Sequence, residues 1–273
     1  MSFVTVEDLT YTYPDGTTAL HGVSLTIEKG EFLALIGQNG SGKTTVSKCL
    51  NGLLLPTRGS VVVDGLDSRK ASISQMVRRV GYVFQNPDHQ LFNSTCRDEI
   101  AYGPRNIEIP EDQVAERVTE AATVVGLPEE HLEEHPFFLT KGLRQRVAIA
   151  AILALRPQVI IVDEPTTGQD SRQAREIMEF LTRLNRELGH TIIIITHDMD
   201  IVAGYARRVV AMADGTVVAD GTPEDVFCNG PVMERASLKP PQITRLAAEL
   251  VDLGIPPAIL SVEKMIAAFR GTS

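Results

Sequence analysis

The 273-residue sequence predicts an α/β fold on a parallel-rich sheet, with a helical subdomain inserted in its middle and a helical extension at its end. Three observations predict it. Short apolar runs without alternation recur at Phe32–Ile36, Val61–Val63, Val80–Phe84, Val159–Asp163, Ile192–Thr196 and Val209–Met212, which suits parallel strands buried on both faces. Helical patterns lie between them, and strands interleaved with helices imply an α/β core. From Asn86 to about Pro157 the strand signal fades and helix signal takes over.

The first strand carries the most chemistry. Phe32–Ile36 runs into Gly37-Gln38-Asn39-Gly40-Ser41-Gly42-Lys43-Thr44, and Thr45-Val46-Ser47-Lys48-Cys49-Leu50 continues at helical spacing. Strand, glycine loop and helix start follow in the order that a phosphate-binding G-x-x-x-x-G-K-[ST] loop requires. Gly37, Gly40 and Gly42 let the backbone approach phosphates and turn its N–H groups inward. The helix start adds unpaired N–H groups and a positive dipole end. Lys43 is expected to reach the outer phosphates and the Thr44 hydroxyl to hold Mg²⁺. The implied ligand is a nucleoside triphosphate; the bland alternative is a glycine-rich turn.

Further along, a helix is expected to start near Pro110-Glu111-Asp112 and to bury Val114, Val118, Ala121 and Val125. The strand Val159-Ile160-Ile161-Val162 ends in Asp163-Glu164, two carboxylates where a P-loop needs an acid to anchor Mg²⁺. Glu164, pointing elsewhere, can polarise water as a general base. Ile177, Leu181, Leu184 and Leu188 form a helical stripe that Gly189 stops. Asp214-Gly215 between two Val-containing runs reads as a tight hairpin turn. Residues 1–230 are expected to form one nucleotide-binding domain, with residues 86–157 as the inserted subdomain, and residues 231–273 a helical extension. Pro240-Pro241 introduces that extension, and Leu246, Leu250, Leu253 and Ile255 supply apolar surface.

A net charge of −9 suggests no broad nucleic-acid surface. Cys49, Cys96 and Cys228 are few and unclustered, which fits a reducing compartment better than a disulfide framework or zinc site. The start, Met1-Ser2-Phe3-Val4-Thr5, soon meets Glu7 and Asp8 and does not read as a signal peptide. Apolar runs such as Val147–Leu155 and Ile192–Ile195 fall short of the roughly 20 residues that span a bilayer, so membrane work would need other subunits. His131 and His135 stand at i, i+4, but Pro128 and Pro136 flank them, and a solvated acidic segment is favoured over a metal site.

The ordered motifs resemble the ATP-binding-cassette ATPases. They are the P-loop, Tyr82-Val83-Phe84-Gln85, Leu139-Thr140-Lys141-Gly142-Leu143 running into Arg144-Gln145-Arg146, Asp163-Glu164-Pro165-Thr166-Thr167 and Thr196-His197-Asp198. The resemblance spans about Phe3 to Phe227 and implies an N-terminal antiparallel β part beside the sheet. It implies ATP and Mg²⁺ as ligands and Glu164, His197 and Gln85 as catalytic groups, Gln85 being the Q-loop glutamine that touches Mg²⁺ or the water. Gly168-Gln169-Asp170 would be the D-loop at a dimer interface, and Tyr13 would stack on adenine, with Tyr11 as runner-up. Gln38, Asn39, Ser41 and Thr45 join the nucleotide contacts, and Thr140 and Gly142 would close over ATP held by the other cassette.

The family signature is Leu-Ser-Gly-Gly-Gln, so Lys141 and Leu143 depart from it. Thr140 keeps a hydroxyl and Gly142 an approachable N–H. Two readings stay open: the chain pairs with itself through a working signature, or it pairs with a second cassette and one composite site is slow. Gln85-Asn86-Pro87-Asp88-His89-Gln90-Leu91-Phe92, Glu99-Ile100-Ala101-Tyr102-Gly103-Pro104 and Pro240-Pro241-Gln242-Ile243-Thr244-Arg245-Leu246 narrow the resemblance to the ATPases of energy-coupling-factor importers. That resemblance implies a second cassette, a transmembrane scaffold and a substrate-binding membrane protein as partners, and a peripheral place on the cytoplasmic face of the cell membrane. The cargo would be a metal ion or vitamin. The competing classes are a soluble cassette ATPase without a transporter and a low-turnover regulatory cassette. A P-loop kinase would not need Gln85, Gly142 and His197 in this order.

Overall fold

The computed structural model describes residues 2–271. The chain builds two sheets. Strands β1 (Val4–Thr12), β2 (Thr18–Ile27), β4 (Arg58–Val63) and β5 (Leu66–Asp67) form an antiparallel sheet in the order β2-β1-β4-β5. The larger sheet takes β3 (Phe32–Ile36), β6 (Val80–Val83), β7 (Val159–Asp163), β8 (Thr191–Ile195), β9 (Arg208–Ala213) and β10 (Thr216–Gly221) in the order β10-β9-β3-β8-β7-β6. All its neighbours are parallel except β9 and β10, which form an edge hairpin. Asp214 and Gly215 turn that hairpin with φ of 48° and 70°, the two positive values that a tight type I′ turn demands.

Period-two alternation sends neighbouring residues of one strand into different cores. Phe32, Ala34, Ile36, Ile160, Val162, Ile192 and Ile194 face the helices, whereas Leu33, Leu35, Val159, Ile161, Ile193 and Ile195 face the antiparallel sheet. That double burial explains the unbroken apolar runs of the larger sheet, but not Val61–Val63, which lies in the antiparallel sheet as part of β4 and buries Val61 and Val63 while Val62 stays half-buried. Helices α1 (Lys43–Leu50) and α2 (Ile73–Val77) contribute Val46, Leu50 and Met76 to the second core.

Between β6 and β7 the regular elements are helical: α3 (Cys96–Asn106), α4 (Glu111–Val125), α5 (Lys141–Leu153) and three short 3₁₀ turns. Helix α4 begins where Pro110 and two acids predict it and buries Val114, Val118, Ala121 and Val125. Helix α6 (Ser171–Arg186) buries Met178, Leu181 and Leu184. Leu188 does not extend that stripe: it lies beyond the C-cap Glu187 and is 53% exposed. His131 and His135 share no helix. His131 pairs with Glu134 at 3.1 Å, while His135 caps the next turn, and among the described residues no cluster of metal-ligating side chains forms.

After β8 come α7 (Met199–Tyr205), α8 (Pro223–Phe227), α9 (Gly230–Arg235), α10 (Gln242–Glu249) and α11 (Val262–Gly271). Met233 of α9 and Leu260 join the large helical core, whereas Ala247, Ile255, Ile259 and Met265 make a small core of their own. Among the described residues no helix is long and apolar enough to cross a membrane.

Candidate functional site

Four chain reversals at the C-terminal ends of neighbouring parallel strands create the site, the usual place for a ligand crevice in an open α/β sheet. The P-loop follows β3, Gln85 lies just beyond β6, Asp163-Glu164 close β7, and Thr196-His197 follow β8. Within the P-loop Gly42 sits at φ 99° as the N-cap of α1, and a Cβ there would strike the Leu20 side chain and the Ala19 carbonyl. Only glycine fits. Lys43 folds back along the loop and donates to the Gly37 and Gln38 carbonyls at 2.9 Å each. Burial lowers its pKa, while the Glu164 and Asp163 carboxylates oppose that shift.

Two cavities flank the loop. One of about 430 Å³ is lined by Gly37, Gln38, Asn39 and Thr44 together with Gln85, Asp163, Glu164 and His197. The other, about 560 Å³, is lined by Tyr13, Thr18, Gly40, Gly42, Lys43 and Thr45. Tyr13 is hydrogen-bonded to Thr45 Oγ1 at 3.0 Å and stands edge-on to the buried Tyr11 at 4.9 Å. Tyr13 therefore borders the loop, and Tyr11 packs in the core. Ser41, within the loop, is buried.

The two acids diverge. Asp163 Oδ2 accepts the Tyr82 hydroxyl at 2.6 Å. Burial raises the Asp163 pKa, and the Tyr82 hydrogen bond counters that. Glu164 has φ 49°, a left-handed conformation that a non-glycine residue rarely holds, and its N–H donates to the Ile195 carbonyl at 2.8 Å. Its Oε1 pairs with His197 Nδ1 at 2.7 Å, and its Oε2 accepts Thr167 Oγ1 at 3.2 Å and Thr196 Oγ1 at 3.4 Å. A carboxylate only accepts, so His197 donates from Nδ1.

Thr140 and Gly142 line neither cavity. Thr140 is the N-cap of α5, with its hydroxyl accepting from Leu143 N at 3.4 Å, and Lys141 Nζ lies 3.2 Å from the Thr167 carbonyl. Asp170 caps α6 through bonds from Arg172 N and Gln173 N at 2.9 and 2.8 Å. The segment after Gln85 is fastened to α5: Arg144 pairs with Asp88 at 2.7 Å, and Gln90 Nε2 donates to the Ala148 carbonyl at 3.0 Å. Buried Glu99 accepts from Phe92 N at 2.9 Å and Asn93 N at 2.7 Å, and Phe92 stands exposed against Tyr102.

The ABC transporter family pattern matches residues 20–167 of this chain. The energy-coupling factor transporter ATP-binding protein EcfA of Methanothermobacter thermautotrophicus is 43% identical over 90% of this chain and 79% of its own length. The chain belongs to the ABC transporter ATPases of the energy-coupling-factor type. EcfA2 of Caldanaerobacter subterraneus subsp. tengcongensis is 38% identical to the cassette over 98% of both chains. A further relative from that organism, with an ABC transporter ATP-binding name, is 50% identical, but the cassette spans only 46% of its length. Among solved structures, cbiO1 from Clostridium perfringens, described as part of the ABC transporter complex cbiONQ, superposes with a TM-score of 0.76 at 39% identity, covering 90% of the cassette and 98% of that chain. A dimeric ATP-binding cassette bound to ADP and Pi gives a TM-score of 0.71 at 29% identity over 81% of the cassette and 98% of that chain.

Reasoning from sequence missed three neighbours of the acids in the cassette: the Tyr82 hydroxyl on Asp163, and the Thr167 and Thr196 hydroxyls on Glu164. Tyr82 had a usable signal, a hydroxyl at the end of a strand that must lie beside β7. The oxygen donors Thr44, Gln85 and Asp163 around one cavity suit Mg²⁺, which takes hard oxygens and one or two carboxylates alongside substrate phosphates.

Proposed function

We propose that the cassette is the ATP-hydrolysing subunit of an energy-coupling-factor importer, powering uptake of a metal ion or vitamin-like micronutrient. The carrying observation is the convergence of P-loop, Asp163, Glu164, Gln85 and His197 on one cavity of about 430 Å³. Tyr13 takes the adenine, and the P-loop from Gly37 to Thr45, with Lys43 turned from its own carbonyls, holds the phosphates. Thr44, Asp163 and Gln85 would hold Mg²⁺, which supplies charge neutralisation at the phosphate oxygens.

Glu164 accepts the proton of the attacking water, and the strand-end position of its backbone fixes where that carboxylate points. His197, with a 66% exposed side chain, is free to turn from Glu164 toward the terminal phosphate. Thr140, Gly142 and Asp170 lie outside both cavities, which supports a role toward nucleotide held by a second cassette. Two cassettes close on ATP and reopen after hydrolysis, and that cycle moves a transmembrane scaffold beside a substrate-binding membrane protein. The exposed Phe92–Tyr102 pair, braced by buried Glu99, supports the segment after Gln85 as the seat of a scaffold helix. The extension over residues 231–273 would help hold the two cassettes together. These roles put the chain on the cytoplasmic face of the cell membrane as a peripheral subunit.

The test is affinity capture of the chain from detergent-solubilised native membranes, with partners identified by mass spectrometry. A multi-spanning scaffold and a substrate-binding membrane protein are expected, and a second cassette would decide between self-pairing and hetero-pairing. Capture without membrane proteins from a preparation in which other transporters stay assembled would overturn the importer reading.

A further inference from the structure

The signature's departure from the family pattern has a specific contact behind it. Lys141 is the first residue of α5, whose first turn carries no acid. An ammonium there faces the positive end of the helix dipole, an unfavourable place for a cation. Its charge is taken up by the segment after Glu164: Lys141 Nζ donates to the Thr167 carbonyl at 3.2 Å and the Gly168 carbonyl at 3.4 Å. Bonds from a charged donor are the stronger kind.

Thr167 is itself tied to the base. Its N–H donates to the Glu164 carbonyl at 3.2 Å and its hydroxyl to Glu164 Oε2 at 3.2 Å. Gly168 sits at φ 72°, and a Cβ there would strike the Lys141 ammonium. In the same loop Gln169 Oε1 is buried without a partner, so the loop does not satisfy itself. A glycine at position 141, as in the family pattern, could make none of these side-chain bonds.

We propose that Lys141 is a positioning residue for hydrolysis: its ammonium anchors the Thr167–Gly168 loop and, through Thr167, holds the Glu164 carboxylate toward the cavity. The helix that opens with the signature is thereby joined to the base of its own chain. The inference rests on the hydrolytic reading of Glu164 given above.

Amide hydrogen exchange over residues 164–170 of the nucleotide-free chain tests it, in wild type, Lys141→Ala, Lys141→Met and Lys141→Arg, with kcat and KM for ATP measured on the assembled complex. Exchange is expected to quicken several-fold in the Ala and Met variants and to return to the wild-type rate with Arg. In parallel kcat falls about tenfold in Ala and Met, as for a base moved by a fraction of an ångström, and recovers with Arg. KM reads the other role open to this position: Lys141 lines neither P-loop cavity of its own chain but stands between Thr140 and Gly142, which would close over a second cassette's nucleotide, and a raised KM without faster exchange would overturn the anchor. Unchanged exchange, recovery by Met as full as by Arg, or faster exchange with unchanged kcat would each overturn the proposal. Wild-type hydrolysis by Glu164→Gln would instead defeat the parent reading, and the exchange data, taken without nucleotide, would still decide the anchor.

Discussion

At Asp163 burial works against ionisation, and a single hydroxyl works for it. Tyr82, itself buried, spends its O–H on Asp163 Oδ2 at 2.6 Å, so the carboxylate is aimed before any cation arrives. Tyr82→Phe removes that bond without changing the packed volume. The expected cost is about 2 kcal/mol of stability, typical of a hydrogen bond to a charged group. The Mg²⁺ concentration for half-maximal nucleotide binding should rise several-fold, and titration of a fluorescent ATP analogue against Mg²⁺ would show it. Gly42 is a second sensitive residue. Gly42→Ala must strain φ 99° and displace Leu20, so equilibrium dialysis should show ATP binding weakened by at least about tenfold.

Elements differ in how openly the sequence announces them, for physical reasons. The strands of the larger sheet lie between two cores, so their apolar runs are unbroken and were legible. Strand β1 buries one face and is interrupted by register shifts between Val6, Leu9 and Tyr11, with Asp8 at φ 46°, so no clean alternation survives to be read. The stripe predicted through Leu188 stops short of it because α6 ends at Arg186 with Glu187 as its C-cap, which leaves Leu188 exposed beyond the helix. The predicted residues that line the two cavities beside the P-loop stand in contiguous motifs, so their grouping was legible. The bonds between motifs were not, since Tyr82 and Asp163 are 81 positions apart and Lys141 and Thr167 are 26 apart. The element joining α6 to β8 also carries a pH dependence. His190 donates Nδ1–H to the Pro157 carbonyl at 2.9 Å, and burial lowers its pKa from 6.5. The depressed value favours the neutral ring in the folded chain, so its contribution is full above the unfolded pKa and is lost as pH falls through the lower folded value. The melting temperature of wild type should therefore drop more steeply below about pH 6.5 than that of His190→Gln. Calorimetry across pH 5–8 would check it.

For the whole molecule, the C-terminal extension is tied to the nucleotide cleft at its start, where Leu238 lines the cavity beside the P-loop and Met233 packs in the large core, and builds a small core of its own beyond. Thr244 Oγ1 donates to the Ile259 carbonyl at 2.7 Å inside the small core, while Leu253, Val262 and Ile266 stay exposed at 67%, 57% and 46%. If this surface holds two cassettes together, Leu253→Ser combined with Ile266→Ser should weaken cassette pairing by at least about tenfold, as expected for two lost apolar anchors. The melting temperature of the single chain should hardly move. Sedimentation of the complex at several concentrations would read the first effect, and calorimetry the second.

If Glu164 is the base of the cavity between the P-loop and β7, its loss should halt hydrolysis and spare ATP binding. The most direct measurement is phosphate release in a single turnover by wild type and Glu164→Gln, with ATP binding measured on the same samples. Retained binding with release slowed by at least about 100-fold, the contribution of a general base, is expected. Release by Glu164→Gln at the wild-type rate, with binding intact, would contradict it.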